Sequence, residues 1–248
     1  MLGRGRARAL LSAEAGRPRT GRTRRRARGL LRLVARALLA ALLLLCALIV
    51  LYRWVMPPIT PLMLLRLPTA GRIERESVPL SAISRELQEA VIASEDNRFC
   101  FHHGVDWSAV SDAVDQYEAE GRLRGASTIT MQTARNLFLW PGGGFLRKGI
   151  EVALAYAIDA LWPKRREMAV YLNVIEWGDG IYGAEAAARA FFGKSAERLS
   201  RQEAALMAAV LPNPRRWSPR HPTPYIVERA GIIAGRIDKL EGMYGCLR

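Results

Sequence analysis

Sixteen consecutive residues without a charge, Ala37 to Tyr52, follow an arginine-rich N-terminal segment, and this pairing restricts the chain more than any other feature. At about 1.5 Å of rise per residue the run spans about 24 Å, short of a hydrocarbon core of roughly 30 Å. Arg36 and Arg53 can snorkel at its ends, and Trp54, Val55 and Met56 lengthen it. Residues 37–56 therefore read as a single transmembrane anchor. Residues 1–36 carry twelve arginines and one acidic residue, Glu14, so they hold +11 of the formal net charge of +14. Such a tail keeps the N-terminus in the cytoplasm. A cleavable signal peptide is the rival reading, but Tyr52, Arg53, Trp54 and two prolines follow the run instead of a small-residue cleavage site. An uncleaved anchor, with the rest of the chain outside the cytoplasm, is favoured. The remainder is nearly neutral, so no nucleic-acid partner is expected.

The three cysteines are Cys46 in the apolar run, Cys100 and Cys246. Their odd count and wide spacing suggest neither a disulfide framework nor a zinc site. An oxidising compartment allows a Cys100–Cys246 bridge, but the sequence does not favour one. His102 and His103, with only His221 elsewhere, make a metal site improbable.

Beyond a linker at 57–70, whose apolar patch Leu62 to Leu67 suits a bilayer surface, residues 71–248 read as one mainly α domain. Ile83, Leu87 and Val91 recur at four-residue steps, with Ser81 or Ser84 as N-cap. Trp107 to Glu120 forms a helix closed by Gly121, with Val110, Val114 and Tyr117 on one face. A helix from Leu146 to Leu161 has the stripe Leu146, Ile150, Leu154, Ile158 and Leu161. Further helices are expected over Lys164–Ile175, over Ala184–Phe192 (closed by Gly193), after the capping box Ser200/Glu203, and along Ile226, Ala230, Ile233, Ile237 and Leu240. No alternating run long enough for a useful strand is present.

Chemistry concentrates between Ala93 and Asp106. The adjacent carboxylates Glu95 and Asp96 end a helix beside Phe99, Phe101, His102 and His103. A carboxylate partly desolvated by aromatic rings is basic enough to take a proton, although solvated helix-end charge explains the same pair. Arg147, Lys148 and Glu151 share a helix face at three- and four-residue spacing. A surface salt bridge accounts for them only partly, because a cation N-terminal to its acid is the less favourable order.

Five segments together resemble the peptidoglycan glycosyltransferases, and within them the monofunctional membrane-anchored transglycosylases. Glu95, Asp96, Phe99, His102, Gly104 and Asp106 match E-D-x-x-F-x-x-H-x-G-x-D. Gly125, Ser127, Thr128, Ile129, Thr130 and Gln132 match G-x-S-T-I-T-x-Q. Arg147, Lys148 and Glu151 match R-K-x-x-E. Tyr171-Leu-Asn173 with Gly178, Gly180, Tyr182 and Gly183 match the fourth motif, and Leu211-Pro-Asn-Pro214 the fifth. The likeness runs from about Leu65 to Trp217, and no transpeptidase domain is expected. Two positions depart from the pattern. Met131 stands where the family usually has a glutamine, and Gly142-Gly-Gly144 where a basic residue is common. Both resemble positions that hold substrate phosphates.

The resemblance implies a lysozyme-like helical domain that polymerises lipid II into β-1,4-linked glycan and releases undecaprenyl diphosphate, with inversion. It implies Glu95 and Glu151 as catalytic. It also implies Asp96, Phe99, His102, Ser127, Thr128, Gln132, Arg135, Asn136, Arg147 and Lys148 as substrate-binding. An attacking sugar hydroxyl needs a base such as Glu95, and a diphosphate leaving group needs cations and neutral donors more than a proton. No cofactor is evident beyond a possible divalent cation, Mg2+ or Mn2+. The expected partners are lipid II, the growing glycan strand, the membrane and other wall-synthesis proteins, at a bacterial inner membrane with the catalytic domain periplasmic. The rivals are a membrane-anchored lysozyme-like hydrolase with Glu95 as general acid, and a wall-assembly scaffold with a dead site.

Overall fold

A computed structural model describes residues 20–121, 125–240 and 242–247. It separates into two compact units that divide after Leu48. Helix α1 (Thr20–Leu51) opens the described chain. Its stretch Arg28–Leu51, 24 residues long, is apolar enough to cross a membrane. At about 1.5 Å per residue that is about 36 Å, longer than the uncharged run alone. The extra length lies N-terminally, because the helix continues through Arg28, Arg32 and Arg36. It stops at Leu51, so Tyr52 to Met56, expected within the anchor, lie beyond its end.

The stretch read as a linker holds a helix, α2 (Pro61–Ala70). Thr60 caps it by accepting from the Met63 amide, and Leu62 and Met63 are buried. Helix α3 (Arg85–Glu95) starts at Ser84, whose hydroxyl accepts from the Leu87 amide, and ends at the acidic pair. Helices α4 (Trp107–Glu120), α5 (Ile129–Phe138), α6 (Gly144–Leu161) and α7 (Lys164–Val174) follow. Then come α8 (Ala184–Phe192), closed by Gly193, α9 (Arg201–Val210), opened by the Ser200/Glu203 capping box, and α10 (Pro224–Lys239). The fold is mainly α, as expected.

Three short strands were not legible: β1 (Glu74–Arg75), β2 (Glu176–Gly178) and β3 (Ile181–Tyr182). They lie in the order β1-β3-β2, β1 parallel and β2 antiparallel to β3. Two or three residues cannot display an alternating pattern, and β2 and β3 are buried on both sides.

Two expected stripes are corrected. On α4 only Val110 of the predicted face packs inward, half-buried against Val105, Met131 and Ala155; Val114 and Tyr117 are exposed, and Ala113 is buried instead. On α6, Leu146 is 78% exposed and Leu161 is exposed too, whereas Glu151, Leu154, Ala155 and Ile158 turn inward. The middle of the α6 stripe, Leu154 and Ile158, is buried as expected, and it is the two ends that the neighbouring helices leave uncovered.

The main core joins α3, α9 and α10 with the aromatic and aliphatic side chains of α7, including Leu87, Val91, Phe99, Leu172, Trp177, Met207 and Ile233. Helix α5 lies between α6 and α7. The bridge that the sequence did not favour is present: Cys100 and Cys246 are joined, their Cα atoms 5.5 Å apart across 146 residues. Tyr244 is 3% exposed, and Arg165 on α7 donates to the Leu247 carbonyl, so the C-terminal turn packs back on the domain. That proximity is tertiary, which is why cysteine spacing did not reveal it.

Candidate active site

The first motif is a folded turn built around Asp96. Its carboxylate accepts from the His102 ring at 2.9 and 3.0 Å and from the Ile129 amide, at the start of α5, at 3.0 Å. Thr128 caps α5 by accepting from the Met131 amide at 3.1 Å and donates to the Gly104 carbonyl at 2.6 Å. Gly104 has φ 78°, and a Cβ there would lie 2.7 Å from the Ala155 carbonyl oxygen, so only glycine lets the turn rest on α6. Phe99 is fully buried under the Lys164 ammonium, 4.7 Å from its ring centroid. Asp96, His102 and Thr128 thus bind and position their neighbours and Phe99 packs inward, while Asp96 and Thr128 also border the cavity beside Glu95.

Glu95 faces outward. One carboxylate oxygen accepts from Gln132 Nε2 at 2.9 Å, and Ser94 donates weakly to the other at 3.5 Å. Burial pushes its pKa above the ordinary carboxylate range, opposed by the Gln132 hydrogen bond and by the charges of Arg229 and Arg135. It opens on a cavity of about 320 Å³ that Arg98, Asp106, Asp112, Ser127 and Arg236 also line.

Glu151 is 1% exposed and gathers three cations. Arg147 pairs with one oxygen, Lys148 lies 3.2 Å from the other, and Arg135 stands 3.9 Å away. Both oxygens are occupied, so Glu151 orients the cations. Burial lowers the Lys148 pKa, partly restored by Glu151, and its ammonium donates to Ser127 Oγ at 2.6 Å. Arg135 and Arg147 also line a second cavity, of about 290 Å³, with Gln132, Asn136 and Trp140. Asn136 is mostly buried and donates to the Gln132 carbonyl at 2.8 Å.

One hydrogen-bonded chain links the two halves. Glu95 binds Gln132, Gln132 reaches the Ser127 carbonyl at 3.5 Å, and Ser127 binds Lys148, which pairs with Glu151. A basic carboxylate and a cluster of fixed cations can together deprotonate one group and stabilise an anion leaving nearby.

Both departures from the pattern have structural roles. Met131 is 1% exposed and packs with Val105 and Ala155. Gly143, at φ 97°, would place a Cβ 2.9 Å from that of Arg147, and Arg147 also donates to the Gly142 carbonyl. The glycines let Arg147 fold back towards Glu151. Sequence reasoning missed Arg229 and Arg236, which approach Glu95 and its cavity from α10. Their seven-residue spacing, two helical turns, was the available signal. Among the described residues no three His, Cys, Asp or Glu side chains group to hold a metal ion.

The family model described as Transglycosylase matches residues 64–238. A protein of Rhodospirillum centenum named biosynthetic peptidoglycan transglycosylase is 60% identical over 221 residues, covering 88% of this chain and 96% of its own. Proteins of the same name from Pseudomonas fluorescens (47% identical; 79% and 84% covered) and Caulobacter vibrioides (41%; 87% and 97%) are also similar. With the motifs, the cation cluster and a match across most of the folded unit in agreement, the chain belongs to the transglycosylase family.

Proposed function

We propose that this transglycosylase polymerises lipid II into β-1,4-linked glycan with release of undecaprenyl diphosphate. Glu95 takes the proton from the attacking sugar 4-hydroxyl while the anomeric C–O bond to the diphosphate breaks. The proton ends on Glu95, the electron pair of the broken bond leaves with the diphosphate, and single displacement inverts the anomeric carbon. Arg135, Arg147 and Lys148 receive the developing charge, with Ser127 and Gln132 as neutral donors. The observation that carries this reading is the chain from Glu95 through Gln132 and Ser127 to Lys148 and Glu151, which sets the base beside the cations. A hydrolase acting on finished glycan has no anionic leaving group and no use for such a cluster.

The lipid-borne substrate accounts for the apolar helix. The arginine-rich tail supports a cytoplasmic N-terminus, and the Cys100–Cys246 bridge supports a periplasmic catalytic domain. The growing strand and other wall-synthesis proteins are the further partners, and a divalent cation could assist at the diphosphate. Purified full-length protein with labelled lipid II is expected to yield long glycan and to leave preformed, diphosphate-free glycan intact. Cleavage of the finished glycan, with no polymer from lipid II, would overturn the reading.

A further inference from the structure

The carboxamide of Gln132 can face Glu95 with either end, and the two ends have opposite effects. Presented with its NH2, Glu95 is held as a carboxylate; presented with its oxygen, Glu95 is favoured as the acid, which can donate. The structure has the NH2 on Glu95 at 2.9 Å, and behind it the Tyr171 hydroxyl lies 3.1 Å from Gln132 Oε1. Tyr171 is fully buried on α7. Burial and the nearby Glu95 charge push its phenol well above the ordinary value, so it keeps its proton and acts as a donor. Reversing the amide would make the phenol oxygen an acceptor, take from its buried hydrogen the acceptor it now has, and turn the amide oxygen towards the Ser127 carbonyl.

We propose that Tyr171 is a positioning residue: by donating to Gln132 Oε1 it locks the amide so that Gln132 donates to Glu95 and keeps it ready to accept a proton. The inference rests on Glu95 being the general base. It adds a third member, from a different helix, to the Glu95–Gln132 pair. A nonpolar residue of similar size cannot replace it, because its hydroxyl hydrogen supplies the closer of the two contacts that favour this orientation, the other being the Ser127 carbonyl 3.5 Å from Gln132 Nε2.

Tyr171→Phe removes that hydrogen and almost nothing else. The amide is then held only by its long contact to the Ser127 carbonyl and can turn its oxygen towards Glu95, so protonated Glu95 gains and the acidic limb of the rate profile moves up. Other groups facing Glu95 are Ser94 and Asp96 beside it, Arg135 on α5 and Arg229 on α10. Arg98, Asp106, Asp112 and Arg236 stand around the cavity. All are the same in both proteins, so the comparison isolates the amide.

The test measures kcat and KM on labelled lipid II against pH for full-length wild type, Y171F, Gln132→Met and Glu95→Gln, with thermal melts of each. The acidic limb of Y171F is expected to rise by about one pH unit, which is about 1.4 kcal/mol. On that limb the rate falls about tenfold, kcat recovers to within about threefold at higher pH, and KM barely changes. Q132M, which removes the amide and keeps the tyrosine, is expected to move the limb in the same direction. A Y171F profile parallel to wild type, whether lowered throughout or unchanged, overturns the inference, as does an unmoved limb in Q132M. Near-normal turnover by E95Q would instead overturn the general-base reading beneath it, so the two failures are distinct.

Discussion

Glu151→Gln tests the site most sharply, because it removes one charge from under three cations and keeps the side chain's shape. Glu151 is 1% exposed, with Arg147 and Lys148 on its two oxygens and Arg135 3.9 Å away. Removing one partner of a buried ion pair costs about 3–5 kcal/mol. Here the Arg135 and Lys148 side chains keep 35% and 38% of their exposure, so water offsets part of that loss. The expected destabilisation is about 2–3 kcal/mol, or roughly 5–10 °C in Tm for a domain of this size. Released cations also stop converging on one place. Losing one charge-assisted bond to the diphosphate, worth about 1.5–3 kcal/mol, lowers kcat/KM by about 10- to 100-fold. The assay is a melt followed by single-turnover kinetics on lipid II. An unchanged melt with complete loss of rate would make Glu151 a reacting group and refute its role as an anchor. An unchanged melt with a rate within twofold would refute the cluster itself.

Glu95→Gln should fold normally and retain less than about a tenth of the wild-type rate in a lipid II polymerisation assay. Because burial raises the Glu95 pKa, wild-type activity should be lost as pH falls, at a pH above the usual carboxylate range, and a pH–rate profile checks this. Lys148→Ala and Arg135→Ala should each lower kcat/KM about 10- to 100-fold and move stability by less than about 1 kcal/mol in denaturant titrations, since both side chains are partly solvated. Cys246→Ser, or reduction of the wild type, should cost about 2–4 kcal/mol of stability by releasing the long loop closed between Cys100 and Cys246, which a denaturant titration under both conditions measures.

Apart from α2, which lies in the stretch read as a linker, the helices were legible because their causes are local. Ser84, Asp106, Thr128, Ser200 and Thr223 each cap a helix with their own side chain, and Gly121 and Gly193 close α4 and α8 in the left-handed conformation. The side of a helix that becomes core is set by its neighbours, and the stripes on α4 and α6 held only in part: Val110, Leu154 and Ile158 pack inward, whereas Val114, Tyr117, Leu146 and Leu161 do not. Leu146 is apolar but exposed, while Glu151, five residues on, is charged but buried, because three cations converge on it.

The site divides along the same line. The motif residues come together as expected, but a motif does not separate the residues that act from those that hold. Asp96, Thr128 and Phe99 belong to the same segments as Glu95 and Ser127, yet they spend their polar atoms or their surface inward. The distinction follows from hydrogen-bond accounting. Asp96 has each oxygen engaged within its own turn, whereas Glu95 meets a single amide from α5 and one weak neighbour, leaving lone pairs for a substrate hydroxyl. Two adjacent carboxylates, indistinguishable in sequence, are thereby given different tasks. Asp96 holds the start of α5, and α5 in turn presents Gln132 to Glu95, so the acid that is tied into its turn fixes the amide that the other one meets.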